Sequence, residues 1–473
     1  MSKSSTALHR LGRAAVAVTL AGATLAVILL AGAAVIRHDN GLDVPDTRPV
    51  GAATGEPNRA AGTIHVAVVL GRSGTEAADV LAPYEVFARS PKFTVSTVAE
   101  TRLPVQLVGG PAVVPASTFA ELDTGVASAP DLLVVPAVEN PSGDSEATTR
   151  SWIVRQAARG VRILGVCSGS ALLAETGVLD GHRATSHWSR IGSLKKSRPG
   201  VQWVGGQRFV QDGRMTTTAG VTSGIPGALQ LIHDLAGPAE AARVGAEVGY
   251  PGWSPSGGRD IPELAFSASD APVALNAALP WFRPTVGIGL TDGIGEIDAV
   301  APFEVYAVSG AARTVAVAAI PFVTTKHGMV LVTKLPSTDG PAMDRLILPG
   351  NAAEDARLTA WAAKWPLSTT ALPERSHQGT AFDAALEDLS RHAGSAVAVS
   401  TAKFIDYPTA QLQLQSDATD TRSLWLCALA VGAAVGMGAL PGLIRSAVRK
   451  ARTPTTTKAP ALRRAVSSEG SMS

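Results

Sequence analysis

The chain has 473 residues, room for two or three domains at roughly 150 residues each. Hydrophobic residues make up 46% and charged residues 17%, which excludes disorder over most of the length. A net charge of +2 excludes a strongly basic nucleic-acid binder, and 2 cysteines exclude a disulfide scaffold or a cysteine-built zinc or iron–sulfur site.

Residues 1–13 carry Lys3, Arg10 and Arg13 and read as a cytoplasmic N-terminus. Residues 14–36 hold no charge and, at about 1.5 Å per residue, reach roughly 35 Å, enough to cross a bilayer. A cleaved signal peptide competes with an uncleaved anchor here, because Ala31-Gly32-Ala33 offers small residues. The apolar core of such a peptide, about 7–15 residues, is shorter than this run. Residues 37–62 are polar, with Pro45, Pro49 and Pro57, and read as a linker.

Ile64 to Leu70 is a β-branched run of strand length, and Asp79 to Ala88 follows with helical spacing. Asp131 to Pro136 and Val161 to Val166 read as further strands. The latter runs directly into Cys167-Ser168-Gly169-Ser170 and then a helix from Ala171. Gly165-Val166-Cys167-Ser168-Gly169 is therefore glycine–x–nucleophile–x–glycine at a strand-to-helix turn, which holds the nucleophile clear of the sheet. A helix N-terminus beside the sulfur favours thiolate and lowers its pKa, and the Ser168 amide would face a developing oxyanion. A buried inert cysteine is the bland alternative.

Two groups are expected to work with Cys167. His187, after Arg183-Ala184-Thr185-Ser186, could serve as acid or base; a surface histidine is the alternative. Asp79 opens the first helix at the carboxyl edge of the sheet, where ligands bind in open α/β sheets. Near a thiolate its carboxyl would be pushed toward the protonated form and could donate to sulfur. An exposed helix-start Asp is the alternative.

A repeat runs through the outer region. Asp79-Val80-Leu81-Ala82-Pro83-Tyr84-Glu85-Val86-Phe87 recurs as Asp298-Ala299-Val300-Ala301-Pro302-Phe303-Glu304-Val305-Tyr306, an offset of 302 − 83 = 219. Asp131 to Pro136 matches Asp344 to Pro349, and Gly249-Tyr250-Pro251 matches Asp406-Tyr407-Pro408. The second copy lacks the elbow block. Alternation of strands and helices predicts, for each copy, a mostly parallel sheet with helices on both faces. The expected domains are 63–253 with the elbow, a linker over 254–283, and a truncated second copy over 284–415.

Residues 423–444 form a second apolar run, with Trp425 near its start and Pro441 near its end. Cys427 lies inside it and is expected not to pair with Cys167. Residues 445–473 carry Arg445, Arg449, Lys450, Arg452, Lys458, Arg463 and Arg464 and read as a disordered basic tail. Excess Lys and Arg on both outer flanks predicts two spans, both termini cytoplasmic and the domains extracytoplasmic. The tail is expected to fix topology and touch anionic lipid rather than nucleic acid.

Three blocks in order carry a resemblance: Asp79 to Phe87, Cys167 through Trp188, and Thr218-Ala219-Gly220-Val221-Thr222-Ser223-Gly224-Ile225. Over about residues 64–252 the chain resembles the ThiJ/PfpI superfamily, which includes the Parkinsonism-associated deglycase. It looks most like the isonitrile hydratases and the sensor domains of AraC-type regulators. The resemblance implies a flavodoxin-like, class I glutamine amidotransferase-like three-layer α/β fold. It implies Cys167 as nucleophile, Asp79 as the acid contacting it, Ser168 as the hydroxyl residue beside it, and His187 as the histidine of the family motif. It implies no metal and no cofactor. The family's Gly-Gly after the strand ending at Pro136 is replaced by Ala137-Val138. The implied function is a cysteine-dependent hydrolase or hydratase acting on a small molecule; the alternatives are a redox or ligand sensor and a structural envelope protein. Expected partners are a small-molecule ligand and membrane lipid through the two helices. Relatives are often homodimers, so the second copy is expected to supply an intramolecular pseudo-dimer, or the chain a homodimer.

Overall fold

The computed structural model describes residues 2–40, 62–336, 342–372, 379–415 and 421–452. Most of the expected linker (41–61) and the tail from 453 lie outside the described residues.

The strand Ile64–Val69 is buried on both faces, as expected inside a parallel sheet covered by helices. Its side chains alternate between two cores. Val66, Val68 and Leu70 pack with the helices Ala77–Ala88 and Gly224–Ala236, whereas Ala67 and Val69 pack with Phe119, Trp152 and Leu172. In spatial order the seven-stranded sheet runs Phe209–Asp212, Met215–Thr218, Arg162–Gly165, Leu132–Val135, Ile64–Val69, Phe93–Ala99 and Ser117–Thr118. All neighbours are parallel except the first two strands. This is the α/β architecture expected for the first copy.

A second sheet of four parallel strands runs Arg313–Val317, Thr285–Gly289, Arg345–Pro349 and Ser368–Leu372. The two sheets do not separate. Val330–Val332 pairs antiparallel with Ala112–Val114, so a third, five-stranded sheet draws strands from both halves. The helix Glu296–Ser309 packs on Ala77–Ala88, and one continuous core contains Val80, Phe87, Val300 and Phe303. Residues Ala31–Trp425 accordingly form one compact body. The expected linker at 254–283 is in part a packed segment. Arg208 donates its amide to the Arg259 carbonyl at 2.7 Å, and Ala271–Ala278 is helical.

The helix Ser2–Asn40 contains the apolar stretch Ala14–Gly32, and Arg422–Arg452 contains Arg422–Val448; both are long and apolar enough to cross a membrane. Pro441 lies inside the second helix. The described residues 2–30 and 426–452 form a separate helical unit, in which Val18, Val27, Leu30, Leu429 and Val435 are exposed. Gly438 approaches Ala17 so closely that a Cβ would stand 2.8 Å from its carbonyl oxygen.

Candidate functional site

The strand Arg162–Gly165 ends two residues before Cys167, and the helix Gly169–Glu175 starts two residues after it. Two glycines make this turn possible. A Cβ on Gly165 would stand 2.7 Å from Leu173 Cδ1, and one on Gly169 would overlap the Val135 carbonyl oxygen. Between them Cys167 adopts φ +53°, a left-handed conformation that a side chain occupies at a cost of roughly 1–3 kcal/mol. Its amide donates to Thr218 Oγ1 at 3.2 Å, and Ser170 Oγ donates to its carbonyl at 2.9 Å.

Asp79 sits in the first turn of Ala77–Ala88 and is fully buried. Oδ2 accepts from the Ala137 amide at 2.9 Å, and Oδ1 has no hydrogen-bond partner among the described residues. Burial, the Glu76 carboxyl and, against them, the Ala137 amide set its pKa well above the ordinary carboxylate range. The expectation of a protonated acid agrees with this direction. Because Ala137 N–H binds Asp79 and its carbonyl accepts from Glu76 N at 3.0 Å, the amide of the substituted Gly-Gly position is already engaged.

The sulfur departs from the expectation. Cys167 is 5% exposed and joins the apolar core. Burial pushes its thiol well up, and the Asp79 and Glu76 carboxyls add to the push; the Ser168 amide and hydroxyl oppose it without prevailing. The short helix behind it therefore does not produce the low-pKa thiolate predicted from the elbow. Ser168 Oγ lies 4.0 Å from Sγ.

Both ring nitrogens of His187 are engaged by groups other than the sulfur. Its Nδ1 meets Ser189 Oγ at 2.7 Å and its Nε2 meets the Phe404 carbonyl at 2.8 Å, with burial lowering its pKa. A neutral ring donating from Nε2 to Phe404 and accepting at Nδ1 satisfies both contacts. His187 occupies the N-cap position of Trp188–Ser197 without a side-chain cap bond, and its ring binds the second half through Phe404; the expected acid–base role has no hydrogen bond to Cys167 behind it.

Three groups escaped the sequence. Glu76 precedes the first helix, and burial pushes its pKa up to about 7 beside Glu304 and Glu139. Glu304, from the second half, is fully buried; burial, Glu76 and Asp79 push its carboxyl well up. Asp406 stands at φ +55° with Ser223 Oγ donating to Oδ2. Glu304 repeats Glu85 by position, but nothing local to either residue says that it would face the other half's helix. Among the described residues no group of His, Cys, Asp and Glu is arranged to hold a metal ion.

The DJ-1/PfpI family model matches residues 65–234. An isonitrile hydratase from Pseudomonas putida is 31% identical over 180 residues, covering 36% of this chain and 72% of that protein. The HTH-type transcriptional regulator CdhR of Pseudomonas aeruginosa is 38% identical over 114 residues, 24% of this chain and 34% of the regulator. Among solved structures, Drosophila melanogaster DJ-1beta aligns with TM-score 0.35 at 22% identity, covering 39% of this chain and 96% of its own. A ThiJ/PfpI family protein from Pseudomonas syringae aligns with TM-score 0.35 at 26% identity, covering 42% and 81%.

Proposed function

The chain belongs to the DJ-1/PfpI family, and from that premise we propose that it is a membrane-anchored member whose Cys167 thiol, paired with Asp79, hydrates or hydrolyses a small molecule. One observation carries the reading: a fully buried Asp79, its carboxyl pushed well up by burial and its Oδ1 without a hydrogen-bond partner among the described residues, acts on a thiol held in strained left-handed backbone. Core packing alone requires neither feature.

Burial pushes both groups toward their neutral forms. On an isonitrile, taken from the relative's name, the Asp79 proton passes to the terminal carbon while sulfur bonds to that carbon and returns its proton to the carboxyl. The thioimidate then takes up water at carbon and expels the sulfur, which recovers a proton. The product is an N-substituted formamide, with one water consumed. A raised thiol pKa suits this concerted proton exchange better than attack by a free thiolate.

Ligand or redox sensing without turnover is the second reading. The 5% exposure of Cys167 and the engaged Ala137 amide favour it, because both restrict room for a tetrahedral centre. The purified full chain, incubated with a panel of isonitriles and small amides, separates the two by mass spectrometry of products. Turnover lost in Cys167→Ser and Asp79→Asn supports the enzyme. Binding without product supports the sensor.

The proposal includes two spans, cytoplasmic termini and extracytoplasmic halves, supported by the two apolar helices and the basic flanks. It also includes an intramolecular pseudo-dimer of two copies, supported by the shared sheet and the 219-residue offset between Pro83 and Pro302 (302 − 83 = 219). A fluorescent protein fused after Ser473 should fold and fluoresce, whereas alkaline phosphatase fused there should stay inactive; the reverse pattern overturns the topology.

A further inference from the structure

The body-side ends of both long apolar helices pack on one short segment, and Gly32, Arg422 and Ser423 belong to the same compact body as the sheets. Gly32, the last residue of the first apolar stretch, is buried against the end of the helix Ala271–Ala278. A Cβ there would stand 2.4 Å from the Ala278 carbonyl oxygen and 3.1 Å from Pro280 Cδ. At the start of the other helix, Arg422 Nη2 donates to Asn276 Oδ1 at 3.1 Å, and Ser423 Oγ donates to the same oxygen. Pro284 lines one cavity with Thr421 and Arg422. Residues 276–284 are therefore held by the ends of both apolar stretches.

Trp281 and Phe282 lie inside that segment, between Pro280 and Pro284. Phe282 is 87% exposed, more than Leu429 at 67% within the second apolar helix. Its backbone stands at φ +59°, a left-handed conformation that a bulky side chain seldom adopts. A lone apolar side chain on a surface is ordinary; one held out on strained backbone is not.

The first half makes the same bend with glycine. Val66 pairs with Leu132, and Val286 with Arg345. Leu132 and Arg345 are equivalent in the repeat, so Val66 and Val286 are equivalent too (286 − 66 = 220). Four residues upstream stand Gly62, at φ +82°, and Phe282. Glycine would ease the bend in the second half as it does in the first. An aromatic ring set there and turned out of the core stabilises the fold by neither backbone nor packing, so its use lies in what it meets outside the body.

We propose that Trp281 and Phe282 form an interfacial foot: their rings enter the headgroup layer of the leaflet next to the body, and the partner of this surface is the lipid bilayer. The inference rests on the reading that the two helices span a membrane, and it holds for either orientation of the chain. Consecutive Cα atoms are about 3.8 Å apart, so the Phe282 Cα lies at most about 7.6 Å from that of Pro280, which packs on Gly32 at the end of the first apolar stretch. A headgroup layer is roughly 5–7 Å deep on each side of the hydrocarbon. The ring is within reach of that layer, where aromatic side chains are favoured. Trp425, exposed in the first turn of the second helix, belongs to the same belt.

The test uses the full chain carrying Cys167→Ser and Cys427→Ala, in nanodiscs of phosphatidylcholine and phosphatidylglycerol. Phe282→Cys and, separately, Leu429→Cys are labelled with an environment-sensitive fluorophore. Lipid bearing a nitroxide near the headgroup end of its acyl chain quenches labels in the bilayer, and iodide quenches labels in water. The label on Phe282→Cys is expected to be quenched by the nitroxide lipid at least about half as strongly as that on Leu429→Cys, and to be shielded from iodide about fivefold relative to the free dye. A Phe282→Cys label open to iodide and untouched by the nitroxide, with Leu429→Cys quenched, overturns the foot alone. Shielding of Phe282→Cys from both quenchers would mean that protein, such as a second copy of the chain, covers the ring, and overturns it as well. A Leu429→Cys label that the nitroxide lipid leaves unquenched overturns the spans, and the foot with them.

Discussion

Glu85 Oε2 accepts the Ile297 backbone amide at 2.6 Å, so a buried carboxylate of the first half satisfies an otherwise orphaned donor in the opening turn of the second half's helix Glu296–Ser309. The relation is not reciprocated. Glu304, the counterpart of Glu85 (304 − 85 = 219), is buried, but neither of its carboxyl oxygens has a hydrogen-bond partner among the described residues, although Ala78 is the counterpart of Ile297 (297 − 78 = 219). Glu85 also holds Arg89, whose Nε donates to Oε1 at 2.8 Å. Glu85→Ala strands both the Ile297 amide and the Arg89 guanidinium and is expected to cost about 3 kcal/mol. Glu85→Gln keeps an acceptor and should cost less than half as much. Thermal unfolding in detergent measures both, and equal losses would mean that the hydrogen bond to Ile297 contributes nothing.

The backbone at the elbow makes a second prediction. Cys167 at φ +53° pays a steric penalty that glycine avoids, whereas alanine keeps it. Cys167→Gly is expected to be more stable than Cys167→Ala by up to about 1 kcal/mol, against the usual ranking of these residues. Differential scanning calorimetry of the two variants decides it, and a less stable glycine variant would show that the turn is not under strain.

Reactivity of the sulfur should follow its surroundings. Burial, and then the Asp79 carboxyl, raise the Cys167 thiol. Alkylation by iodoacetamide should therefore be slow at pH 7 and gain speed only above the range of an exposed cysteine, about 8.5. Asp79→Asn removes an ionisable carboxyl whose negative form disfavours the thiolate and should move the midpoint to lower pH. A midpoint moving upward would mean that Asp79 donates to the thiolate and supports it.

Much of this was legible locally. The elbow is legible because its glycines, β-branched strand and following helix are contiguous, so residues 161–175 contain their own geometry. The two long apolar helices are legible because their length and lack of charge need no partner. What was not legible comes from contacts distant in sequence. Cys167 carries a helix start and an oxyanion-like amide, yet its thiol is governed by Asp79 and Glu76, about ninety residues away, and by the core closing over it. His187 carries a family motif, but its ring is claimed by the carbonyl of Phe404 in the other half. Asp406 matches Gly249 in sequence and differs from it only once the fold places its carboxyl against Ser223.

The carboxyl cluster sets the pH dependence of stability. Burial lifts Glu76 from 4.5 to about 7, and Asp79, Glu85 and Glu304 are raised in the same direction, again by burial first. For Glu76 burial acts first and the Glu139 carboxyl adds to it, while hydrogen bonding with the Glu304 side chain and the Ala77 amide opposes the rise; Arg283 and Arg313 line the same cavity as Glu76. A group whose folded pKa is raised holds its proton after the unfolded chain has released it. Its contribution to stability is complete below about 4.5 and is lost as pH climbs toward 7. The lowered carboxyls, Asp388 beside Arg345 and Asp355 at its helix start, act in the opposite sense, but their contribution is lost only as pH falls below the ordinary carboxylate range. Between 4.5 and 7 the raised cluster is opposed by His187, whose burial-lowered pKa returns stability as pH rises toward 6.5; four raised carboxyls against one histidine leave a net decline, and the melting temperature should fall by several degrees across the window. Glu76→Gln removes one titrating proton and should flatten the decline while raising stability at pH 7. A melting temperature that rises from pH 5 to 7, or a Glu76→Gln profile parallel to the parent, would show that Glu76 is ionised at the junction of the two halves.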